Sequence, residues 1–347
     1  MRIILDVMGG DNPPEEFVKG AILAKSRYRT NITLVGNERV IRETLKKLST
    51  PEKWFEIVHA DDVVTMEDDP MSITGAHSAS SMATALKMVA DGHGDAVVSA
   101  GNTGALFTGA TLICRRIKGV RRAALAMIMP YKKPTLLLDC GANVTVTPEY
   151  LVQFAYLGSV YMENVMGVEN PRVALLNNGA ESHKGTTLAQ EAYKLLSEAE
   201  SLNFVGNIEG KDAMFGECDV IVTDGFSGNI LLKSCEGMSR FVLEKLHEKI
   251  FGGVRGKMSE MFRRREIGMF YKMFDAKEYG GAPFLGISKP VIKAHGSSDK
   301  VAICAAIGQA IKCVDMGVVD RISMYSEKFA KYNPVRHIKT EQTETNK

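Results

Sequence analysis

No stretch of the 347 residues approaches the roughly 20 continuous apolar residues that a membrane-spanning helix needs, so a soluble or at most peripheral, cytoplasmic protein is expected. The opening run MRIILDVMGGD is too short in its apolar part for a secretory signal and carries Asp6 early; it reads as a first strand. Paired cysteines are also missing. Cys114, Cys140, Cys218, Cys235, Cys304 and Cys313 are scattered, with no C-x-x-C and no zinc spacing, as small core residues of a reduced protein would be. The 7 histidines show neither H-E-x-x-H nor a paired-ligand spacing, so no metal is expected. Charge of one sign is lacking: a formal net charge of +2 carries no nucleic-acid signature, and any anion site must be local. Nucleotide signatures are absent too. There is no G-x-G-x-x-G and no G-x-x-x-x-G-K-[ST], and GFSGN fails the G-x-S-x-G elbow because Asn229 stands in the last position.

What the chain does contain is an alternation of short apolar runs with helical patterns. RIILDV, NITLVG, FEIVHA, DAVVSA, AALAMIM, TLLLDC, RVALLN, DVIVTD and PVIKAH read as strands, most of them apolar on both faces, as in a largely parallel sheet covered by helices. Helix patterns run over 148–166, 186–199, 227–250 and 299–317. The class predicted is α/β, in a single catalytic unit over 1–338 followed by a polar tail at 339–347.

Strands end directly in polar, glycine-rich turns: DVMGGDN, SAGNTGA, DCGAN, NNGAESHKG, TDGFSGN and AHGSSD. Ligands of open α/β sheets bind beyond the carboxyl ends of strands, so these turns together point to a site. Its candidate residues are Asp6, Gly9, Gly10, Asp11, Asn102, Thr103, Gly104, Asn143, Asp224 and Ser298, with the amides of Asn102, Asn143 and Asn229 as donors to an anion or carbonyl. Turn formation alone would explain those asparagines equally well. Lys184 follows a strand and precedes a helix start, where an ammonium can hold phosphate; Glu181 is placed to fix it. His295 is a candidate proton or hydrogen-bond donor, and Lys233 faces either the same crevice or solvent.

Taken in order, DVMGGDNPP, SAGNTGALFTGA, LLDCGAN, LLNNGAESHKG, VTDGFSGNILLKS and AHGSSD closely resemble the bacterial phosphate acyltransferase (PlsX) family over roughly Met1 to Gly317. Val7 stands where that family usually has Ala. The resemblance implies a fold similar to isocitrate and isopropylmalate dehydrogenases and phosphotransacetylases. It implies transfer of a fatty acyl group from acyl carrier protein to inorganic phosphate, without a cofactor, to supply phospholipid synthesis. It further implies a homodimer with peripheral membrane contact, and a membrane-bound glycerol-3-phosphate acyltransferase as acceptor of the product. Two alternatives remain open: a short-chain phosphotransacylase using acyl-coenzyme A, and a nicotinamide-dependent dehydrogenase of the same fold.

One segment breaks the rhythm. Residues 251–286 carry Met258, Met261, Phe262, Ile267, Phe270, Tyr271 and Phe274 at helical spacing beside Arg263 to Arg265. A core stripe or dimer contact would look like this, as would an amphipathic pair of helices meeting anionic lipid through 254–274. The same basic surface suits an acidic carrier protein.

Overall fold

The computed structural model describes residues 1–251 and 280–331. Its first half runs β1 (Arg2–Asp6), α1 (Glu15–Tyr28), β2 (Asn31–Gly36), α2 (Glu38–Lys47), β3 (Glu56–His59), α3 (Ser81–Ala90), β4 (Ala96–Ser99), α4 (Thr103–Gly109), β5 (Ala124–Met129) and β6 (Thr135–Leu138). Then come α5 (Pro148–Met166), β7 (Arg172–Asn177), α6 (Thr187–Ser197), β8 (Asn203–Glu209), β9 (Val220–Val222) and α7 (Gly225–Phe251). The described chain closes with β10 (Ala282–Leu285), β11 (Val291–Lys293), α8 (Lys300–Asp315), α9 (Val318–Ser323) and α10 (Ser326–Lys331).

Local chemistry sets the boundaries. Asn37, Ser80, Asn102, Thr186 and Asp299 cap their helices by accepting backbone N–H groups of the first turn. Pro148 opens α5 at a position that needs no N–H, and Gly167 closes it at φ +69°.

The strands form one sheet of 11 in the order β3-β2-β1-β4-β11-β10-β5-β6-β9-β7-β8. It is covered on both faces, which is why its strands are apolar without alternation. Ile3 and Leu5 pack into one cluster while Ile4 between them packs into another, and Leu136 and Leu138 are likewise separated from Leu137.

The expected largely parallel sheet is present, with a break at its centre. β10 is antiparallel to both β11 and β5, and β5 is antiparallel to β6. The two parallel blocks, β3-β2-β1-β4-β11 and β6-β9-β7-β8, therefore run in opposite senses. Lys233, on the helix after β9, is nevertheless close enough to Lys293 and His295 at the end of β11 for its charge to act on both, so the two blocks approach each other there. Two strands were not legible in the sequence. β8 is partly exposed and interrupted by Gly206, and β10 is only APFL, with Pro283 inside it. The segment 254–274, read as amphipathic, and the tail at 339–347 lie outside the described residues.

Candidate active site

Three of the six turns leave the adjacent strands β1, β4 and β11, and they interlock. A Cβ on Gly9 would sit 2.8 Å from the Gly101 backbone, so glycine is required for the two turns to touch. Gly10 holds φ +96°, and the Asp11 N–H donates to the Gly296 carbonyl at 2.9 Å. Beneath them Asp6 is fully buried. Its carboxylate accepts from the hydroxyls of Ser81 and Ser99, each at 2.7 Å, and from the Met8 N–H at 3.2 Å. Burial raises its pKa against those bonds.

Lys293 ends β11 and is 8% exposed. Its Nζ donates to the Ala100 carbonyl at 3.2 Å and to the Ala294 carbonyl. Burial pulls its pKa down to about 8, with Asp11 and Asp6 opposing. His295 follows after one residue. Its Nδ1 accepts the Ser297 N–H at 3.2 Å and lies 2.9 Å from the Ser297 hydroxyl. That bond places the proton of the neutral ring on Nε2. Burial lowers the His295 pKa, and the Lys233 and Lys293 charges lower it further against Glu236 and Asp11. The ring is therefore neutral at pH 7, with an N–H to offer. Ser298 is buried behind it, its N–H closing the turn on the His295 carbonyl at 3.0 Å.

The other three turns leave β6, β9 and β7, which are also neighbours. Asp139 organises the first. Its Oδ1 accepts the N–H groups of Leu125, Gly141 and Ala142 at 3.0–3.1 Å, and its Oδ2 accepts the Asn143 N–H and amide at 2.7 Å. The N-terminus of α7 is pressed onto this turn. Gly225 N–H donates to the Asn143 carbonyl at 2.7 Å, and a Cβ on Gly228 would collide with the Asp139 carbonyl. Asp224 caps α7 through the N–H groups of Phe226 and Ser227 at 3.0 and 2.8 Å. Exposed Asn229 then lies against Gly141, and one turn further Lys233 pairs with Glu236 at 2.8 Å.

Across residues 1–321 the chain matches a family model described as "Fatty acid synthesis protein". It is 46% identical to a phosphate acyltransferase of Clostridium acetobutylicum over 94% of this chain and 99% of that relative. It is 43% identical to one of Clostridium novyi over 94% and 99%. The chain belongs to the phosphate acyltransferase family. Members of this family are transferase enzymes. A phosphotransacetylase from Streptococcus pyogenes superposes with a TM-score of 0.61 at 18% identity, covering 92% of this chain and 94% of that one. A branched-chain phosphotransacylase from Enterococcus faecalis V583 gives a TM-score of 0.53 at 15% identity over 90% and 99%. These two likenesses concern the fold alone.

In this phosphate acyltransferase family member the expected site residues divide. Asp11, His295, Asn229 and Lys233 lie at the turns, and Lys233 and Asp11 are close enough for their charges to shift His295. Gly9 and Gly10 are the close-approach positions of the first turn. Thr103 opens α4, and Gly104 packs on Pro70. Four side chains have internal partners, which revises their expected part in binding. Asn102 caps α4 and donates to the carbonyls of Thr65, Met66 and Asp68 at 3.2–3.3 Å. Asn143 donates to Ala123 and Asp139, Asp224 caps α7, and Asp6 is saturated by hydroxyls. These side chains brace the turns, leaving backbone and neighbouring groups to face a ligand.

Lys184 is exposed on the turn after β7. Its N–H donates to the Glu181 carbonyl at 3.1 Å, and both side chains lie against Gly179. Glu181 thus orders the lysine through the backbone. The Asn207 amide fastens this turn to β8 at 2.9 Å. Asp139 and Lys293 are not among the residues to which the sequence points. The signal was there for Lys293: a lone charge inside PVIKAH, a run otherwise suited to a buried strand.

Proposed function

We propose that the chain transfers a fatty acyl group from the thioester of acyl carrier protein to inorganic phosphate, giving acyl phosphate and free carrier. The observation that carries this is the gathering of cations and N–H donors at the strand ends, where Lys293 and His295 after β11 meet Lys233 of α7 closely enough for the lysine charges to act on His295. Burial pushes Cys114, Cys218 and Cys313 up to about 12, and raises Cys140 and Cys304 as well. Such thiols are poor nucleophiles.

With those five thiols set aside, direct attack is the first route. A phosphate oxygen, anchored by Lys184 and backbone N–H groups, adds to the thioester carbonyl carbon. The neutral His295 Nε2–H and the Asn229 amide donate to the oxyanion as it forms. The C–S bond then breaks, and the carrier thiolate takes the proton that hydrogenphosphate gives up. Holding both reactants supplies much of the acceleration.

The 2.9 Å approach of Ser297 to His295 favours a second route, through an acyl-serine. Its depressed basicity argues against His295 as the activating base. Quenched-turnover mass spectrometry with Ser297→Ala beside wild type decides between them: an acylated Ser297 peptide, lost with activity in the variant, would replace direct attack.

The proposal extends to a homodimer, peripheral membrane contact through 254–274, and delivery of the product to a membrane-bound glycerol-3-phosphate acyltransferase. Exposed Phe226, Ile230, Met238 and Phe241 along α7 support an apolar contact between copies. Sedimentation tests the dimer, and vesicle flotation of Met261→Asp and Phe270→Asp tests the membrane contact.

A further inference from the structure

The carboxyl end of the first block carries a row of polar side chains where the sheet should be apolar. Lys293 pairs with Ser99 across β11 and β4, and Ser99 stands beside Asp6 across β4 and β1, since Val98 pairs with Leu5. All three are buried. Lysine is among the residues least often buried, because its charge loses hydration without a partner.

Asp6 does not serve as that partner. Its oxygens are taken by Ser81, Ser99 and Met8, and among the described residues Lys293 makes no ion pair. Two backbone carbonyls hold the ammonium instead. Carbonyls orient a cation and leave its net charge available to an anion. They also account for two of its three N–H groups. Its neighbours by charge are Asp6, Asp11, Lys233 and, through the next turn, His295. Lys293 and His295 come from the first block and Lys233 from the second, so the lysine stands where the blocks face each other.

We propose that Lys293 is a phosphate-binding cation of the acyl-transfer site, its third N–H meeting a phosphate oxygen beneath the His295 turn. The inference rests on the acyl-transfer reading above for the identity of the anion. It adds a buried cation from the first block to the exposed Lys184 of the second. A buried ammonium attracts a phosphate oxygen more strongly than an exposed one, because water screens it less, and the two carbonyls that hold it have already offset part of its lost hydration.

The test is calorimetric titration of the full-length chain with inorganic phosphate, comparing wild type, Lys293→Met and Lys293→Arg, with thermal melts to establish folding. Lys293→Met should bind phosphate roughly tenfold to hundredfold more weakly, the size of one charge-assisted hydrogen bond. Lys293→Arg should recover part of that loss. Unchanged affinity in folded Lys293→Met overturns the proposal, and so does wild type that fails to bind phosphate.

A second measurement needs no variant. Above pH 8 inorganic phosphate has already lost its second proton, so falling affinity there reports loss of the protein's positive charge. Wild-type affinity should drop as pH rises beyond about 8, where Lys293 deprotonates. A flat profile contradicts the role. Acyl phosphate synthesis is assayed separately. Phosphate binding that depends on Lys293 in a protein making no acyl phosphate would sink the reaction and leave this site standing.

Discussion

Replacing Asp139 with Asn changes one atom and tests how the second block builds its side of the site. The carboxylate accepts three N–H groups on Oδ1 and two on Oδ2. An amide keeps one acceptor and turns the other atom into a donor. The cheaper orientation puts its NH2 where Oδ2 was, facing the Asn143 N–H and side-chain amide, and leaves two buried donors without an acceptor. At about 1–3 kcal/mol for each, the variant should lose about 2–6 kcal/mol of stability. Relief from burying a carboxylate, whose pKa burial already raises, places the outcome toward the lower end. Urea unfolding followed by circular dichroism reads this directly. Acyl-transfer activity should fall as well, because the turn seats Gly225 of α7 and the Gly141 backbone against Asn229. A stability change below about 1 kcal/mol, with activity intact, would show that these five bonds do not hold the turn.

Gly228→Ala should abolish activity and destabilise the fold by about 1–3 kcal/mol or more, since its methyl group collides with the Asp139 carbonyl; a melt and an activity assay suffice. Lys184→Ala should raise the KM for phosphate more than it lowers kcat in steady-state kinetics, as expected of an anchor. His295→Ala should lower kcat by roughly 10²-fold with little change in that KM, as for loss of one donor to the oxyanion. Folding lowers the pKa of Lys293 from 10.5 to about 8, so between these values the unfolded chain binds more protons and wild-type stability rises with pH. Measured by urea unfolding, the stability difference between Lys293→Met and wild type should therefore move in favour of wild type by about 3 kcal/mol from pH 8 to 10.5.

Much of this was legible in the residues because the determinants are local. Apolar runs marked nine strands, and Pro148 and Asp299 marked helix starts to within a residue. The polar turns identified the site because glycine is needed where backbones touch, as at Gly9 and Gly101. Strand direction was not legible. The antiparallel β5 and β10 are set by pairing between distant segments, which no window of sequence contains. Nor could composition separate Asn229, which lies on the surface, from Asn143, whose amide is bound on both sides. Both follow glycine-rich turns; only the Asp139 network distinguishes them. Lys293 was hidden by its apolar neighbours, and its burial depends on three strands meeting.

The most direct test follows purified protein, acyl carrier protein thioester and inorganic phosphate, with hydroxylamine added to trap acyl phosphate and a thiol reagent to count released carrier. Hydroxamate and free carrier thiol should appear together, one for one, only when phosphate is present, and acyl-coenzyme A should be a poorer donor. Thiol release without trapped acyl phosphate, or a clear preference for acyl-coenzyme A over the carrier thioester, would contradict the proposed reaction.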